Sequence, residues 1–181
     1  MPVAEKIATE SSISEQLLPE FDTEFANTRK FLALVPDDKL TWKPHPKSAA
    51  LGRLAWHLSD MPEWCKNILT QDSLAMTSED GAKARTEAEG KTREEILARF
   101  DAALKAARAA FVATPDEAWS VRWKMEWEGT PIIDDPRSDV YRKWVISHMV
   151  HHRAQFGVYL RLNDIAIPGC YGPSADEMPS A

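Results

Sequence analysis

Apolar residues recur every three or four positions along four stretches of the chain, which is the spacing of a helix with one apolar face. The predicted helices cover about residues 11–35, 49–70, 92–114 and 137–163. Thr92, with Glu95 three positions later, has the pattern of a capping box and indicates the start of the third helix. Four helices of this length, with two long connections between them, predict an all-α four-helix bundle.

The two long connections differ in composition. Residues 73–91 are rich in Ser, Glu, Ala, Gly and Lys without a clean period, which predicts a mobile connection with room for a helical turn. Residues 119–136 contain three tryptophans and paired aspartates, and we expect a hairpin or another ordered excursion there. The whole chain, residues 1–181, is predicted to form one domain, with a polar lead at 1–10 and a C-terminal tail at 164–181.

Three of the five histidines, His148, His151 and His152, lie within five positions of the fourth predicted helix. At about 100° per residue all three lie on one face, which they share with apolar residues such as Trp144 and Val145. We therefore expect the histidine face to be buried. A buried imidazole needs a polar partner, because it loses its hydration. A metal ion is one such partner, and a carboxylate or a carbonyl is another.

The second predicted helix carries His57 on the same face as Leu54, Met61 and Trp64, so this histidine is also expected to face the core. Metal sites in helix bundles are built from inward side chains on facing helices. Three imidazoles with an open fourth position are typical of catalytic zinc sites. A histidine that is only hydrogen-bonded within the core is the alternative to a metal ligand. His45, between two prolines in a loop, is expected to bind no metal.

Charge and composition exclude several classes of function. The net charge is −6 and no dense run of Lys and Arg occurs, which argues against a nucleic-acid-binding surface. No apolar stretch approaches the roughly 18 residues that span a bilayer, and the N-terminus lacks an apolar signal core, so we expect a soluble cytoplasmic protein. Cys65 and Cys170 are too few for a disulfide framework, and we expect Cys65 to pack in the core.

Four segments of the chain together resemble the DinB-like proteins, a group related to the bacillithiol transferases and the mycothiol-dependent maleylpyruvate isomerases. The segments are Lys43–Ser48, Leu54–Leu58, His148–Gln155 and Ile167–Glu177. The resemblance runs from about residue 12 to residue 177. Ala154 stands where many members have glycine, a small change that leaves the histidine pattern intact.

The resemblance implies a four-helix bundle that holds a divalent metal on His57, His148 and His152, with His151 beside the ligands and without a metal role. Imidazole ligands suit zinc or nickel. The related families favour an enzyme in which the metal activates a low-molecular-weight thiol or water, that is, a thiol S-transferase or a hydrolase acting on a small-molecule substrate. The alternative is a non-catalytic metal-binding or stress-response bundle protein.

Other conspicuous residues allow two interpretations each. The tryptophans, Trp56 among them, are expected to pack in the core or at its rim rather than to stack on a ligand. Arg153 and Gln155 either orient groups around the ligands or cap and solvate the helix. Asp176 and Glu177 act either as acid/base residues or as anchors that hold the tail against the helices.

The first predicted helix also bears on assembly. Its apolar positions cover more of the helix surface than one packing face needs, and they are Phe21, Phe25, Phe31 and Leu32. Together with the family resemblance, this predicts a homodimer formed by helix faces.

Overall fold

The computed structural model describes residues 11–178, so the predicted polar lead at 1–10 lies outside the described residues. Four long helical stretches dominate the chain. In order, the elements are α1 Ile13–Leu32, a 3-10 turn Asp37–Lys39, α2 Leu51–Thr70, β1 Ser73–Met76, α3 Ser78–Glu87, α4 Arg93–Ala113, α5 Asp116–Trp119, β2 Arg122–Trp127, β3 Thr130–Pro136, α6 Arg137–Val140, a π-helical segment Tyr141–Ser147 and α7 His148–Arg161. The last three run on without a break and form the fourth predicted helix.

Side-chain caps define where three helices begin. Thr92 accepts a hydrogen bond from the backbone N–H of Glu95, whose carboxylate accepts from the N–H of Thr92 in return. This confirms the predicted start of α4. Ser12 and Glu15 form the same reciprocal box before α1. The caps satisfy backbone donors that a first helical turn otherwise leaves unpaired.

The long helices enclose one apolar core. Helix α2 packs mainly against α4, while α1 packs against α4 and α7, and α2 also contacts α7. Gly157 of α7 lies so close to α1 that a Cβ there would approach the Phe31 ring to 2.9 Å, which explains the glycine. The largest core side chains come from every one of these helices, and they include Phe21, Phe25, Leu58, Phe100, Phe111 and Phe156. Cys65 is free and fully buried, as expected of a packing residue.

A three-stranded sheet corrects the all-α prediction. Its order is β1-β2-β3, with β1 parallel to β2 and β2 antiparallel to β3. The hairpin expected within residues 119–136 is confirmed as β2 and β3. Its turn places Glu128 and Gly129 at φ 50° and 74°, the left-handed region that two-residue hairpin loops require. Trp123 and Met125 alternate with exposed residues along β2 and are buried, which attaches the sheet to the helical core.

The connection predicted to be mobile is instead ordered. Residues 73–91 contain β1 and the ten-residue helix α3, which is capped by Thr77 with Asp80. Helix α3 buries none of its residues, so it has no apolar face that a periodicity could reveal. Strand β1 pairs with β2 about fifty residues later in the chain, with Ser73 opposite Lys124. No local sequence pattern predicts a pairing over this distance.

The apolar residues of α1 do not support the argument for a dimer. Phe21, Phe25, Phe31 and Leu32 are all at most 5% exposed within a single chain, because α1 is covered by both α4 and α7. Two large apolar side chains at the end of α7 are exposed: Val158, within the helix, and Leu162, directly after it, each 57% exposed. None of the helices between residues 11 and 178 is long and apolar enough to cross a membrane.

Candidate metal centre

Three histidines that are far apart in sequence converge beside the core. His57 comes from α2, and His148 and His152 come from the first turns of α7. The Nε2 atoms of His57 and His148 are 2.9 Å apart, and one ring nitrogen from each of the three residues lies within 4.8 Å of the others. Because Zn–N bonds are about 2.1 Å, two nitrogens on one ion can be at most about 4.2 Å apart. The first pair meets this limit, and the 4.8 Å bound on the other distances is close to it.

A π-helical segment immediately precedes the two α7 histidines. The N–H of His148 donates to the carbonyl of Lys143, five residues earlier, instead of four. The wider turn changes the angular position of each residue, so a regular period of 3.6 residues does not project Tyr141 and Trp144 correctly onto the α7 face. Segments of this kind occur frequently at functional sites.

The expectation that the histidine face is the buried face is therefore only partly right. The buried residues of α7 are Met149, Arg153, Phe156, Gly157 and Leu160, and most of this face lies about 80° to 140° round the helix from His148. His148 and His152 are half-buried at the margin of the core, and His151 is exposed. The cluster thus lies where the apolar interior meets an opening to solvent.

Burial keeps the cluster neutral. The pKa of His57 is lowered to about 3, chiefly by desolvation and then by His152, His148 and the cations of Arg53 and Arg99. Desolvation likewise lowers the pKa of His148 to about 4. All of these effects disfavour the imidazolium form. At neutral pH the ring nitrogens therefore carry lone pairs, as metal ligands must.

Hydrogen bonds orient two of the rings. Nδ1–H of His152 donates to the side-chain carbonyl of Gln155 at 2.7 Å, which leaves the Nε2 lone pair of His152 free. Burial lowers the pKa of His152, and the bond to Gln155 opposes that effect. Gln155 was expected either to orient groups around the ligands or to cap and solvate the helix, and this contact favours the first role. A metal-ligating histidine usually makes a second hydrogen bond of this kind. The 2.9 Å contact of His57 with His148 is itself an N–H···N hydrogen bond if one ring carries the proton there.

A cavity of about 390 Å³ opens beside the histidines. His57 and His152 form part of its wall together with Trp56, Asp60 and Arg99. The Arg99 guanidinium stacks over the Trp56 ring at 4.1 Å and donates to the Asp60 carboxylate at 2.6 Å. Trp56 is thus a cavity residue as well as a rim-packing residue. Trp119 and Trp123 are buried and pack in the core, as expected for most tryptophans.

Several cavity residues were missed from the sequence. Asp60 follows His57 by three positions on α2, and that helical spacing could have identified it. Burial raises the pKa of the Asp60 carboxyl, although Arg99 opposes the shift. Arg85 belongs to α3, which the sequence analysis did not recognise as an element.

Arg153 has neither of its expected roles. It is 3% exposed and binds the Glu24 carboxylate at 2.7 Å, the Thr28 hydroxyl at 3.2 Å and the Tyr171 hydroxyl at 2.6 Å. The Tyr171 hydroxyl also lies 2.9 Å from the Glu24 carboxylate. This buried network joins α7, α1 and the C-terminal tail.

Asp176 and Glu177 are anchors of the tail. Asp176 binds Arg161 and accepts a hydrogen bond from the backbone N–H of Ile167. Glu177 accepts from the N–H groups of Gly169 and Ser174. These bonds lower the pKa of both carboxyl groups and keep them ionised. Neither residue forms part of the cavity beside the histidines.

The fold and the cluster define a class: mostly helical proteins whose facing helices bring together three histidines compatible with a divalent metal. The model of the DinB family matches residues 8–179, and the chain belongs to the DinB family. This confirms the resemblance seen in the sequence.

Solved structures show the same fold. A DinB-like protein from Bacillus cereus ATCC 10987 matches with a TM-score of 0.62 at 20% identity, over 87% of this chain and 97% of that chain. A candidate member of the DinB family from Exiguobacterium sibiricum 255-15 matches with a TM-score of 0.59 at 18% identity, over 92% of this chain and 99% of that chain. At these identities the likeness concerns the fold alone. No curated protein matches the sequence.

Proposed function

We propose that the protein is a metal-dependent enzyme in which His57, His148 and His152 hold one divalent ion, zinc or nickel, and which acts as a thiol S-transferase or a hydrolase. The observation that carries this proposal is the convergence of three neutral imidazoles, two of which, those of His57 and His152, line a cavity large enough for a small molecule. A purely structural metal site would be closed by protein ligands instead.

The residues around the cluster fit a divalent ion. Gln155 holds the Nδ1 proton of His152, so that the Nε2 lone pair is left for a metal ion. His151 is exposed, and we assign it no metal role. Three neutral ligands leave the charge of a bound ion undiminished, and such an ion lowers the pKa of water or of a thiol to produce a nucleophile near neutral pH. The cavity walls formed by Trp56 and Leu54 provide apolar contact for the substrate.

Metal analysis of the purified protein tests the ligand set. We expect about one zinc per chain after reconstitution, and loss of that zinc in His57→Ala, His148→Ala and His152→Ala. His151→Ala is the matched control, since it removes a neighbouring imidazole and should keep the metal. Metal well below one equivalent in the wild-type protein after addition of excess zinc would contradict the proposal.

The choice between thiol transfer and hydrolysis is tested with the cobalt-substituted protein. A thiol whose sulfur reaches the cobalt produces an intense charge-transfer absorption band. We expect this band on addition of glutathione, bacillithiol or mycothiol, and no band in His152→Ala. If none of the three thiols produces it, thiol transfer is excluded as the reaction and hydrolysis is retained.

One observation favours the non-catalytic alternative. The 2.9 Å contact between His57 and His148 satisfies two imidazoles without any ion. A bundle protein whose histidines are only hydrogen-bonded would take up no zinc, whereas a metal-binding protein without turnover would have the same zinc content as the enzyme. The latter would differ in showing no saturable hydrolysis or thiol transfer over a panel of small esters, amides and electrophiles.

The proposal also includes the assembly. The four long helices pack as the bundle that the DinB resemblance implies, and two chains associate as a homodimer. The exposed Val158 and Leu162 at the end of α7 are compatible with such an association, whereas the buried apolar residues of α1 are not. Light scattering should give twice the chain mass of 20.4 kDa, and a monomer at micromolar concentration would reject the dimer.

A further inference from the structure

Cationic side chains are concentrated around the cavity beside the histidines. Arg53, Arg85 and Arg99 all line it, against the acidic residues Asp60 and Glu87. The chain as a whole has a net charge of −6, so a cavity lined by three arginines differs in charge from most of the molecule.

Two of these arginines, Arg53 and Arg85, form no ion pair within residues 11–178. The third, Arg99, is paired with the Asp60 carboxylate. Both are exposed at the cavity wall, Arg53 on α2 and Arg85 on α3. A guanidinium presents several N–H donors in a planar fork, which matches the two oxygens of a carboxylate or a phosphate.

A second cavity of about 500 Å³ shares this part of the wall. Arg53 and Arg85 line both cavities, and Lys43 and Glu89 line the second one as well. The two arginines are therefore shared by two adjacent cavities, here called the cleft, of which the first is also lined by His57 and His152.

Arg99 contributes a further donor inside the cleft. Its Nη2 is bound to Asp60, but its Nη1 is buried and has no hydrogen-bond partner within the described residues. A buried donor without an acceptor is unfavourable, and an oxygen of a ligand in the adjacent cavity would supply the acceptor. Trp56, stacked under Arg99, offers an apolar ring to the rest of such a ligand.

We propose that this cleft binds a small molecule that bears an oxyanion, a carboxylate or a phosphate, held by Arg53 and Arg85 while its other end lies along Trp56 toward the histidines. The assignment of the histidine end as the reactive end rests on the proposed function. The oxyanion site itself consists only of side chains and needs no metal. The enzyme would accordingly prefer anionic substrates or cosubstrates over their neutral analogues.

The test uses the full-length, metal-free protein and follows the indole N–H resonance of Trp56 by two-dimensional NMR, assigned through Trp56→Phe. The probes are glutarate as the carboxylate, phenyl phosphate as the phosphate and glutaramide as the neutral control. We expect at least one anion to shift the resonance saturably and glutaramide to leave it in place. The probe that binds more tightly, glutarate or phenyl phosphate, identifies whether the cleft prefers a carboxylate or a phosphate.

Matched variants locate the anion. Arg53→Gln and Arg85→Gln should each weaken binding roughly tenfold or more, as expected for loss of a charge-assisted hydrogen bond. Arg108→Gln removes the same charge from an exposed arginine that is paired with Asp22 away from the cleft, and it should bind like the wild-type protein. Equal weakening by Arg108→Gln, unchanged binding in Arg53→Gln and Arg85→Gln, or a shift by glutaramide equal to that by the anions would overturn the proposal.

Zinc titrations separate this proposal from the metal site. The variant His148→Ala, at a ligand that lines neither cavity, should lose zinc and keep its affinity for the anion, whereas Arg53→Gln/Arg85→Gln should keep zinc and lose the anion. If the wild-type protein binds the anion through both arginines but takes up no zinc, the proposed enzyme fails and the oxyanion site stands. If the wild-type protein takes up zinc but does not bind the anion through the two arginines, the oxyanion site is rejected and the proposed metal site stands.

Discussion

Acid should destabilise the metal-free protein through its histidine cluster. The folded protein keeps His57 and His148 neutral, with pKa values of about 3 and about 4 that result mainly from burial. In the unfolded chain each imidazole takes up a proton near its ordinary pKa of about 6.5. Since the folded pKa lies below the unfolded one, the unfolded state binds more protons, and stability falls as the pH is lowered through about 6.5.

The expected size of this effect follows from proton linkage. Between about pH 7.5 and about pH 5.5, a histidine that stays neutral in the folded state reduces the free energy of unfolding by about 1.4 kcal/mol. His57 is the more buried of the two and should contribute close to that amount. His148 is more open to solvent, which screens its interactions, so its share is smaller. The two together should account for a loss between about 1.4 and about 2.7 kcal/mol.

Urea denaturation followed by circular dichroism, in the presence of a chelator, measures this loss at the two pH values. The double variant His57→Gln/His148→Gln serves as the reference, because all other titrating groups cancel in the comparison. The wild-type protein should lose more stability than the variant by the amount given above. If both proteins show the same pH dependence, the histidines are not held neutral by burial and the electrostatic account of the site is wrong.

Three further substitutions test other parts of the structure. Arg153→Met leaves Glu24 buried without its cation, and urea denaturation should show a loss of about 3 to 5 kcal/mol; a loss below about 1 kcal/mol would contradict the account of this ion pair. Gln155→Leu removes the acceptor of the His152 Nδ1 proton, so the zinc affinity, measured in competition with a chelator, should fall about tenfold. An unchanged zinc affinity would show that this hydrogen bond does not orient the ring. Asp176→Asn should speed proteolytic cleavage of the C-terminal tail and leave the zinc content unchanged, whereas loss of zinc would assign Asp176 to the metal site.

Local patterns predicted the features that local interactions decide. The capping box of Thr92 and Glu95 predicted the start of α4, because both partners lie within one helical turn. The spacing of four residues between His148 and His152 placed two imidazoles on adjacent turns, and their ring centroids are 4.5 Å apart. The tryptophan-rich segment before the fourth helix predicted the hairpin, whose strands are neighbours in sequence.

The failures concern elements whose reason for forming lies elsewhere in the chain. Strand β1 is ordered by pairing with β2, which lies outside residues 73–91. Helix α3 has no buried face, so its one local signal is the capping box of Thr77 and Asp80, which the sequence analysis missed. The dimer argument from α1 treated its phenylalanines as surplus surface, although two other helices cover them.

The sequence by itself determined the four long helices and the family, because helical period, caps and motif spacing are properties of contiguous residues. The resemblance to the family, rather than the helical period, singled out His57, His148 and His152. Only the tertiary structure decided that the cluster lies at the margin of the core, since the π-helical turn at Tyr141–Ser147 alters the rotation of the helix before His148. Tertiary packing also decided that Arg153 is buried against Glu24, 129 residues away, and that Arg53 of α2 and Arg85 of α3 line the same two cavities. Contacts of this kind join side chains distant in sequence, and their free energy depends on burial and on charges that no local window contains.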